Sequence, residues 1–344
     1  MKVTLVRFPL VAALGSVNNE PTPPLGLAFL AASLKQAGFD VEGIDATGEN
    51  LENIKKIPNK KLQYNGLDID SLIERINLDT KVIGISSMFT HEWTYVRECI
   101  TKLKNKFPSI PIIAGGEHIS ALPEYSLRDC KGLDYVAIGE GEETIVDFCK
   151  QIEKGKSPNQ VDGICRLSQN KYVKNSPRRR IKNVDQIPWP DWDVFNIEPY
   201  LDNSISFGAS FGRNIPIMAT RGCPYQCTFC SNLEMWTKRY YMRKPEDVID
   251  EIKYYIEKYK VTGIQFYDLT AIVKKQWIIE FCNRYLDNKL SIEWSLPSGT
   301  RSEVLDDEVL QMLSETNLRY LVYAPESGSK KMLEKIKKRI TLSS

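Results

Sequence analysis

Two successive α/β domains are predicted, the first a doubly wound parallel sheet and the second a partial β/α barrel. Three observations carry this. Short apolar runs alternate with helical patterns over residues 2–154. The alternation breaks over residues 155–214, where prolines and tryptophans gather. It resumes at Ile215 and persists to the end of the chain. The boundaries expected are 1–155 for the first domain, 156–214 for a linker and 215–344 for the second domain.

The chain has 344 residues, enough for two domains of ordinary size. Apolar residues make up 42% and charged residues 26%, as in a soluble globular protein. A net charge of +2 supplies no field that selects nucleic acid, and none is expected as a partner. No apolar stretch reaches the roughly 18 residues of a membrane helix. The start, Met1-Lys2-Val3-Thr4-Leu5-Val6, does not read as a secretory signal. Eight cysteines are too few for a disulfide scaffold. Cys99, Cys130, Cys149, Cys165 and Cys282 are scattered and read as small buried hydrophobes. A reducing cytoplasm suits them.

In the first domain, residues 2–8 read as a buried strand and residues 25–38 as a helix that stops at Gly38. Val41 to Asp45 is the next strand, followed by an irregular insertion around residues 47–67. Helices are expected over 68–78, 92–107, 120–129 and 142–154, with strands over 81–86, 110–114 and 134–138 between them. In such a sheet the ligand sits outside the carboxyl ends of the strands. The loops that meet there are Ser86-Ser87-Met88-Phe89-Thr90, Gly115-Gly116-Glu117-His118 and Gly139-Glu140-Gly141-Glu142. Their glycines either admit a large ligand close to the backbone or simply make tight turns. No G-x-G-x-x-G follows the first strand, so a dinucleotide is not expected.

Ser157-Pro158, Ser176-Pro177 and Pro188-Trp189-Pro190 mark the linker as turns and extended segments. Arg178-Arg179-Arg180 reads as a solvated face, or else as a site for an anionic substrate. Trp189, Trp192 and Phe195 are expected to wedge the linker between the domains.

The second domain opens with a short apolar strand from Ile215, which runs into a loop ending Cys223-Pro224-Tyr225-Gln226-Cys227-Thr228-Phe229-Cys230. Three thiolates spaced C-x3-C-x2-C in one loop suit a soft metal. A cubane iron–sulfur cluster has four irons, so three cysteines leave one iron open. The alternatives are a structural zinc, a cluster closed by a distant fourth ligand, or buried free cysteines. Downstream, Pro245 opens a helix with acids in its first turn. Strands over 263–267, 292–296 and 318–324 alternate with helices over 275–286, 306–313 and 330–339. Chemistry gathers at the carboxyl ends of such strands, where Asp268, Glu326 and Ser327 fall.

The cysteine loop resembles that of the radical S-adenosylmethionine (SAM) enzymes. Gly222 and Pro224 shape it, and Phe229 stands between the last two cysteines. The resemblance implies a [4Fe-4S] cluster on Cys223, Cys227 and Cys230, with SAM chelating the open iron and Phe229 near the adenine. Phe266-Tyr267-Asp268-Leu269 and Ala324-Pro325-Glu326-Ser327-Gly328-Ser329 match family patterns, the first lacking its second acid. Asp268, Glu326 and Ser327 are thereby implied as SAM contacts, with Arg301 a weaker candidate for the SAM carboxylate.

Pro23-Pro24-Leu25-Gly26-Leu27, the Gly-Gly-Glu-His loop and the Gly-Glu-Gly-Glu-Glu run resemble the cobalamin-binding domain that precedes many radical SAM domains. It implies a flavodoxin-like strand order, with cobalamin over the carboxyl edge and its corrin facing the cluster. Its contacts would be Ser87, Met88, Gly115, Gly116, Glu117, Gly139, Glu140 and Gly141. No D-x-H-x-x-G is present, so cobalt is expected without a histidine lower ligand, and His118 as a hydrogen-bonding residue. Family barrels have six strand–helix units and this chain carries four, so a fragment is expected, its end at Ser344 resembling mid-family sequence. The implied activity is cobalamin-dependent radical methyl transfer to an unreactive carbon of a small molecule or peptide, with flavodoxin or ferredoxin as electron donor. The alternatives are radical cyclisation or oxidation with the same cofactors, and a non-catalytic cofactor-binding protein.

Overall fold

The computed structural model describes residues 1–16, 20–301 and 303–340. The chain divides into two compact units, Met1–Ile181 with Ile187–Pro199, and Lys182–Gln186 with Tyr200–Ser344. The reading of the chain's end rests on Thr341–Ser344, which lie outside the described residues.

In the first unit the strands are β1 (Lys2–Arg7), β2 (Leu10–Ala13), β3 (Asp40–Asp45), β4 (Ile54–Lys56), β5 (Leu62–Asn65), β6 (Thr80–Ser86), β7 (Ile112–Gly115), β8 (Tyr135–Ala137), β9 (Ile164–Ser168) and β10 (Lys171–Lys174). The helices are α1 (Leu25–Gln36), α2 (Ile69–Glu74), α3 (Trp93–Lys106), α4 (Glu117–Ala121), α5 (Pro123–Asp129) and α6 (Glu142–Glu153). The main sheet runs β10-β9-β8-β7-β6-β1-β3. Its five parallel strands, counted along the chain, lie in the order 2-1-3-4-5, which is the flavodoxin-like order. That order reverses between β1 and β6, and a crevice opens outside the carboxyl ends at such a point. Val3, Leu5, Ile83, Ile112 and Val136 are buried because helices cover both faces.

Four expectations need correcting here. The insertion over 47–67 is not irregular: β2, β5 and β4 pair as a small antiparallel sheet. Its short strands, with β4 wholly exposed, carry no alternation to read. The helix expected over 120–129 begins at Glu117 and breaks at Pro123, which starts the next helix because it has no N–H to give the previous turn. Residues 164–174, assigned to the linker, extend the sheet as the hairpin β9–β10. Gln169 and Asn170 both have positive φ there, as a two-residue hairpin turn requires. The Arg178-Arg179-Arg180 run is not a free solvated face, since Arg178 bonds Asp147 at 2.7 Å and Arg180 bonds buried Glu140 at 2.7 Å. Val194 and Phe195 pack on β3, where a Cβ on Gly43 would lie 2.6 Å from the Phe195 ring.

The second unit, entered through α7 (Glu198–Asp202), contains strands β11 (Asn214–Ile217), β12 (Thr220–Arg221), β13 (Tyr241–Met242), β14 (Gly263–Phe266), β15 (Glu293–Thr300) and β16 (Leu318–Tyr323). Its helices are α8 (Asn232–Trp236), α9 (Pro245–Tyr259), α10 (Lys275–Asp287), α11 (Asp307–Glu315) and α12 (Lys330–Lys335). The parallel sheet β11-β14-β15-β16 carries the four expected strand–helix units. Phe266, Phe281 and Trp294 pack edge to face between sheet and α10, with centroids 5.4–5.6 Å apart. The Trp294 indole is satisfied by the Thr316 carbonyl at 2.6 Å. The final helix stops at Lys335 rather than near 339, because Lys337 and Arg339 take positive φ. Among the described residues no helix is long and apolar enough to cross a membrane.

Candidate functional site

The cysteine loop leaves β11 at the carboxyl edge of the four-stranded sheet and is fixed before its first cysteine. Asp268, two residues past β14, accepts hydrogen bonds from the Ala219 amide at 3.2 Å and from both the amide and hydroxyl of Thr220. Burial pushes the Asp268 carboxyl up to about 6, although those donors pull the other way. Arg243 ties the same corner, donating to the Met218 carbonyl at 3.0 Å and pairing with Asp247 and the wholly buried Glu251. Glu251 in turn accepts from the Tyr255 hydroxyl at 2.6 Å. Removing one partner of a buried pair of this kind costs about 3–5 kcal/mol, since the other charge is left uncompensated.

The loop itself is tied by its backbone. The Cys223 carbonyl accepts from Asn232 Nδ2 at 3.0 Å, the Cys230 amide donates to the Cys227 carbonyl at 3.1 Å, and the Thr228 amide donates to the Ile336 carbonyl at 3.0 Å. The side chains are left outward. Cys223 and Cys227 are half-buried, Cys230 is exposed, and the Phe229 ring is 60% exposed. Burial raises the Cys223 thiol, and the neighbouring Cys230 and Cys227 push it the same way, so the three sulfurs lie within one another's field. A bound cation inverts that repulsion. The other five cysteines are buried as expected, and burial raises each of those thiols.

The remaining SAM candidates divide. Glu326, at φ +65°, and Ser327 follow β16; Glu326 is ion-paired with Lys338 at 2.9 Å, and Ser327 Oγ accepts from the Ser329 amide. Asp268 is 2% exposed, and its carboxylate accepts from the loop at Ala219 and Thr220, so the contacts it makes here are to the loop. Arg301 is also internally engaged, with the Lys338 and Arg339 carbonyls at 2.8 and 2.9 Å and the Glu303 carboxylate at 2.8 Å. Its guanidinium stacks 3.6 Å from the centre of the Tyr225 ring. Sequence reasoning missed Tyr225, Asn232, Lys338 and the role of Arg243. Only Arg243 left a signal, with acids four and eight residues on along one helix face.

In the first unit the three strand-end loops do lie at the carboxyl ends of β6, β7 and β8. Gly116 holds φ +112°, and a Cβ there would lie 2.5 Å from the Ser87 carbonyl oxygen. The Ser87 hydroxyl is 1% exposed and has no partner among the described residues, while Met88 and Phe89 beside it are exposed apolar side chains. Gly139 donates its amide to Ser120 Oγ at 3.0 Å, and Gly141 backs onto Leu30. Gly115 and Glu117 flank Gly116 at intermediate exposure. Glu140 departs from expectation: it is buried and accepts from Arg180 Nε and the Ile181 amide, so it pins the segment after β10. His118 is hydrogen-bonded through Nδ1 to Thr90 Oγ1 at 3.1 Å and through Nε2 to Ser126 Oγ at 3.3 Å. Burial lowers its basicity, and neither ring nitrogen is left for a metal.

These residues fit the implied groups. Three thiols on one exposed loop are the donor set of a cluster with an open iron. Among the described residues no three ligand side chains are already gathered as a metal site, so the thiols would converge on binding. A glycine backbone, an unpartnered buried hydroxyl and exposed Met88 and Phe89 suit a large planar cofactor with apolar faces.

Comparison with known proteins agrees. Residues 12–148 match the family model of the B12 binding domain, and residues 217–343 that of the Radical SAM superfamily. An uncharacterized methyltransferase of Pyrococcus horikoshii is 30% identical over 99% of this chain and 69% of its own length. Cytidylyl-2-hydroxyethylphosphonate methyltransferase of Streptomyces wedmorensis is 26% identical over 93% of this chain and 64% of its own. The anaerobic magnesium-protoporphyrin IX monomethyl ester cyclase of Cereibacter sphaeroides is 25% identical over 93% and 50%. The chain thus spans about half to two thirds of the length of these relatives. Among solved structures, the radical SAM methyltransferase TsrM of Kitasatospora setae covers 98% of this chain, and the chain 62% of it, with a TM-score of 0.72 at 18% identity.

Proposed function

We propose, from the premise that this chain belongs to the radical SAM superfamily in the branch that carries a B12 binding domain before the radical SAM part, that it works as a cobalamin-dependent methyltransferase acting on an unactivated carbon. The observation that carries the reading is the contrast among the cysteines: three stand together on an open strand-end loop, and five are buried and inert. When bound, the cluster supplies the electron that cleaves SAM to a 5′-deoxyadenosyl radical, and cobalamin supplies the methyl carrier.

The chain's own residues bind and orient. Cys223, Cys227 and Cys230 hold the cluster as thiolates. The exposed Phe229 ring offers a face for the adenine. Glu326 and Ser327 accept hydrogen bonds from the ribose or amino-acid end of SAM, a reading that requires the Lys338–Glu326 pair to open. Asp268 and Arg243 keep the loop root rigid without touching ligand. In the first unit Ser87, Met88, Gly115, Gly116, Glu117, Gly139 and Gly141 face cobalamin with backbone, one hydroxyl and apolar surface, and Glu140 holds the loop behind them. The substrate is a small molecule or a peptide, and the electron comes from a flavodoxin or ferredoxin.

The cyclase relative motivates a second reading, radical cyclisation or oxidation with the same cofactors. Both are tested on anaerobically purified protein reconstituted with iron, sulfide and cobalamin, then given reductant and SAM with a deuterated methyl group. Labelled methyl on cobalamin together with 5′-deoxyadenosine supports methyl transfer. 5′-Deoxyadenosine with unlabelled cobalamin supports the second reading, and neither product defeats both.

A further inference from the structure

Beside the cysteines an arginine is engaged on several sides at once. Arg301, directly after β15, is 6% exposed, and its guanidinium lies 3.6 Å from the centre of the Tyr225 ring, between Cys223 and Cys227 in sequence. It also donates to the carbonyls of Lys338 and Arg339, just beyond α12. That same segment accepts the Thr228 amide through the Ile336 carbonyl. Lys337 and Arg339 hold positive φ, so the segment is kept in a conformation that its side chains do not favour alone. The loop is therefore gripped on the Tyr225 side by a cation and on the Thr228 side by backbone, with Arg301 common to both.

We propose that Arg301 is a positioning residue for the cysteine loop, acting through Tyr225, and that its fixed charge sets the reduction potential of the cluster the loop holds. This rests on the reading of Cys223, Cys227 and Cys230 as cluster ligands. It differs from a carboxylate-binding role, because the guanidinium is already spent on Glu303, two carbonyls and an aromatic face. Potentials of such clusters follow net charge, hydrogen bonding and exposure around the sulfurs. A buried cation favours the more negative, reduced state. Its guanidinium is desolvated, where a cation–π contact is at its strongest.

The test compares Arg301→Gln, Tyr225→Leu and the double variant, each reconstituted with iron and sulfide in the absence of cobalamin and substrate. Reductive titration followed by electron paramagnetic resonance reads the potential, isothermal titration reads SAM affinity, and hydrogen exchange of cluster-free protein reads protection at Thr228. The expected result is a more negative potential in Arg301→Gln, a smaller shift of the same sign in Tyr225→Leu, and no further shift in the double variant. Thr228 protection falls in Arg301→Gln. Tyr225→Leu leaves the two backbone contacts of Arg301 in place, so it decides the matter if Arg301→Gln fails to hold iron. An unchanged potential in either variant overturns the proposal. Lost SAM affinity at unchanged potential in Arg301→Gln makes Arg301 a carboxylate ligand instead. Failure of methyl transfer leaves these readouts intact, so the two readings fail separately.

Discussion

The carboxyl edge of the first unit's sheet and the cysteine loop of the second unit are both strand-end sites, built in opposite ways. At the first, three polar side chains are spent inward, His118 on Thr90 and Ser126, Glu140 on Arg180 and Ile181, and Ser120 on the Gly139 amide, while the Ser87 hydroxyl has no partner among the described residues. Glycine backbone and the apolar Met88 and Phe89 are left to meet a ligand. At the second, backbone is spent at Thr220, Cys223 and Thr228, and the cysteines and Phe229 are left half-buried or exposed. One site offers a shape and the other offers donors. Two strand-end acids, Glu140 and Asp268, are engaged with neighbouring protein groups, Glu140 with Arg180 and the Ile181 amide and Asp268 with Ala219 and Thr220.

Breaking the donor site should have the largest effect. Cys223→Ala is expected to abolish reductive cleavage of SAM while leaving cobalamin binding unchanged, as read by released 5′-deoxyadenosine and by bound cobalamin absorbance. Breaking the shape site should cost stability as well as affinity. Gly116→Ala forces a Cβ toward the Ser87 carbonyl at φ +112°, so a loss of about 1–3 kcal/mol and much weaker cobalamin retention are expected, with iron content intact.

The pH dependence sharpens the comparison further. Asp268 titrates at about 6 when folded, above the ordinary 3.8, so the folded chain holds that proton more tightly than the unfolded one. The stabilisation is full below the unfolded value and is lost as pH rises through the folded one. Stability of cluster-free protein should therefore fall between about pH 4 and about pH 6, by roughly 3 kcal/mol at most. Buried Glu251, also raised, contributes in the same sense. Asp268→Asn should shallow that slope in denaturant titrations at stepped pH, and an unchanged slope would contradict the assignment. The smallest effect belongs to the buried cysteines. Cys282→Ala should cost about 1 kcal/mol and leave iron per chain unchanged.

The architecture was largely legible, because alternating apolar runs and helical faces specify parallel sheets with few alternatives. The three cysteines were legible because their spacing is chemistry on one loop. Long-range choices were not. Whether Asp268 faces ligand or the Thr220 amide, and whether Arg301 meets a carboxylate or the Tyr225 ring, depends on segments dozens of residues apart. The β9–β10 hairpin was hidden for another reason, since its turn uses Gln169 and Asn170 without glycine.

That Cys223, Cys227 and Cys230 hold a cluster with one iron open to SAM is tested most directly by electron paramagnetic resonance. The reconstituted, reduced protein is measured with and without SAM, alongside iron analysis. About four irons per chain and a spectrum that changes when SAM is added are predicted. A cluster whose spectrum ignores saturating SAM would contradict the account, because all its irons would then be closed.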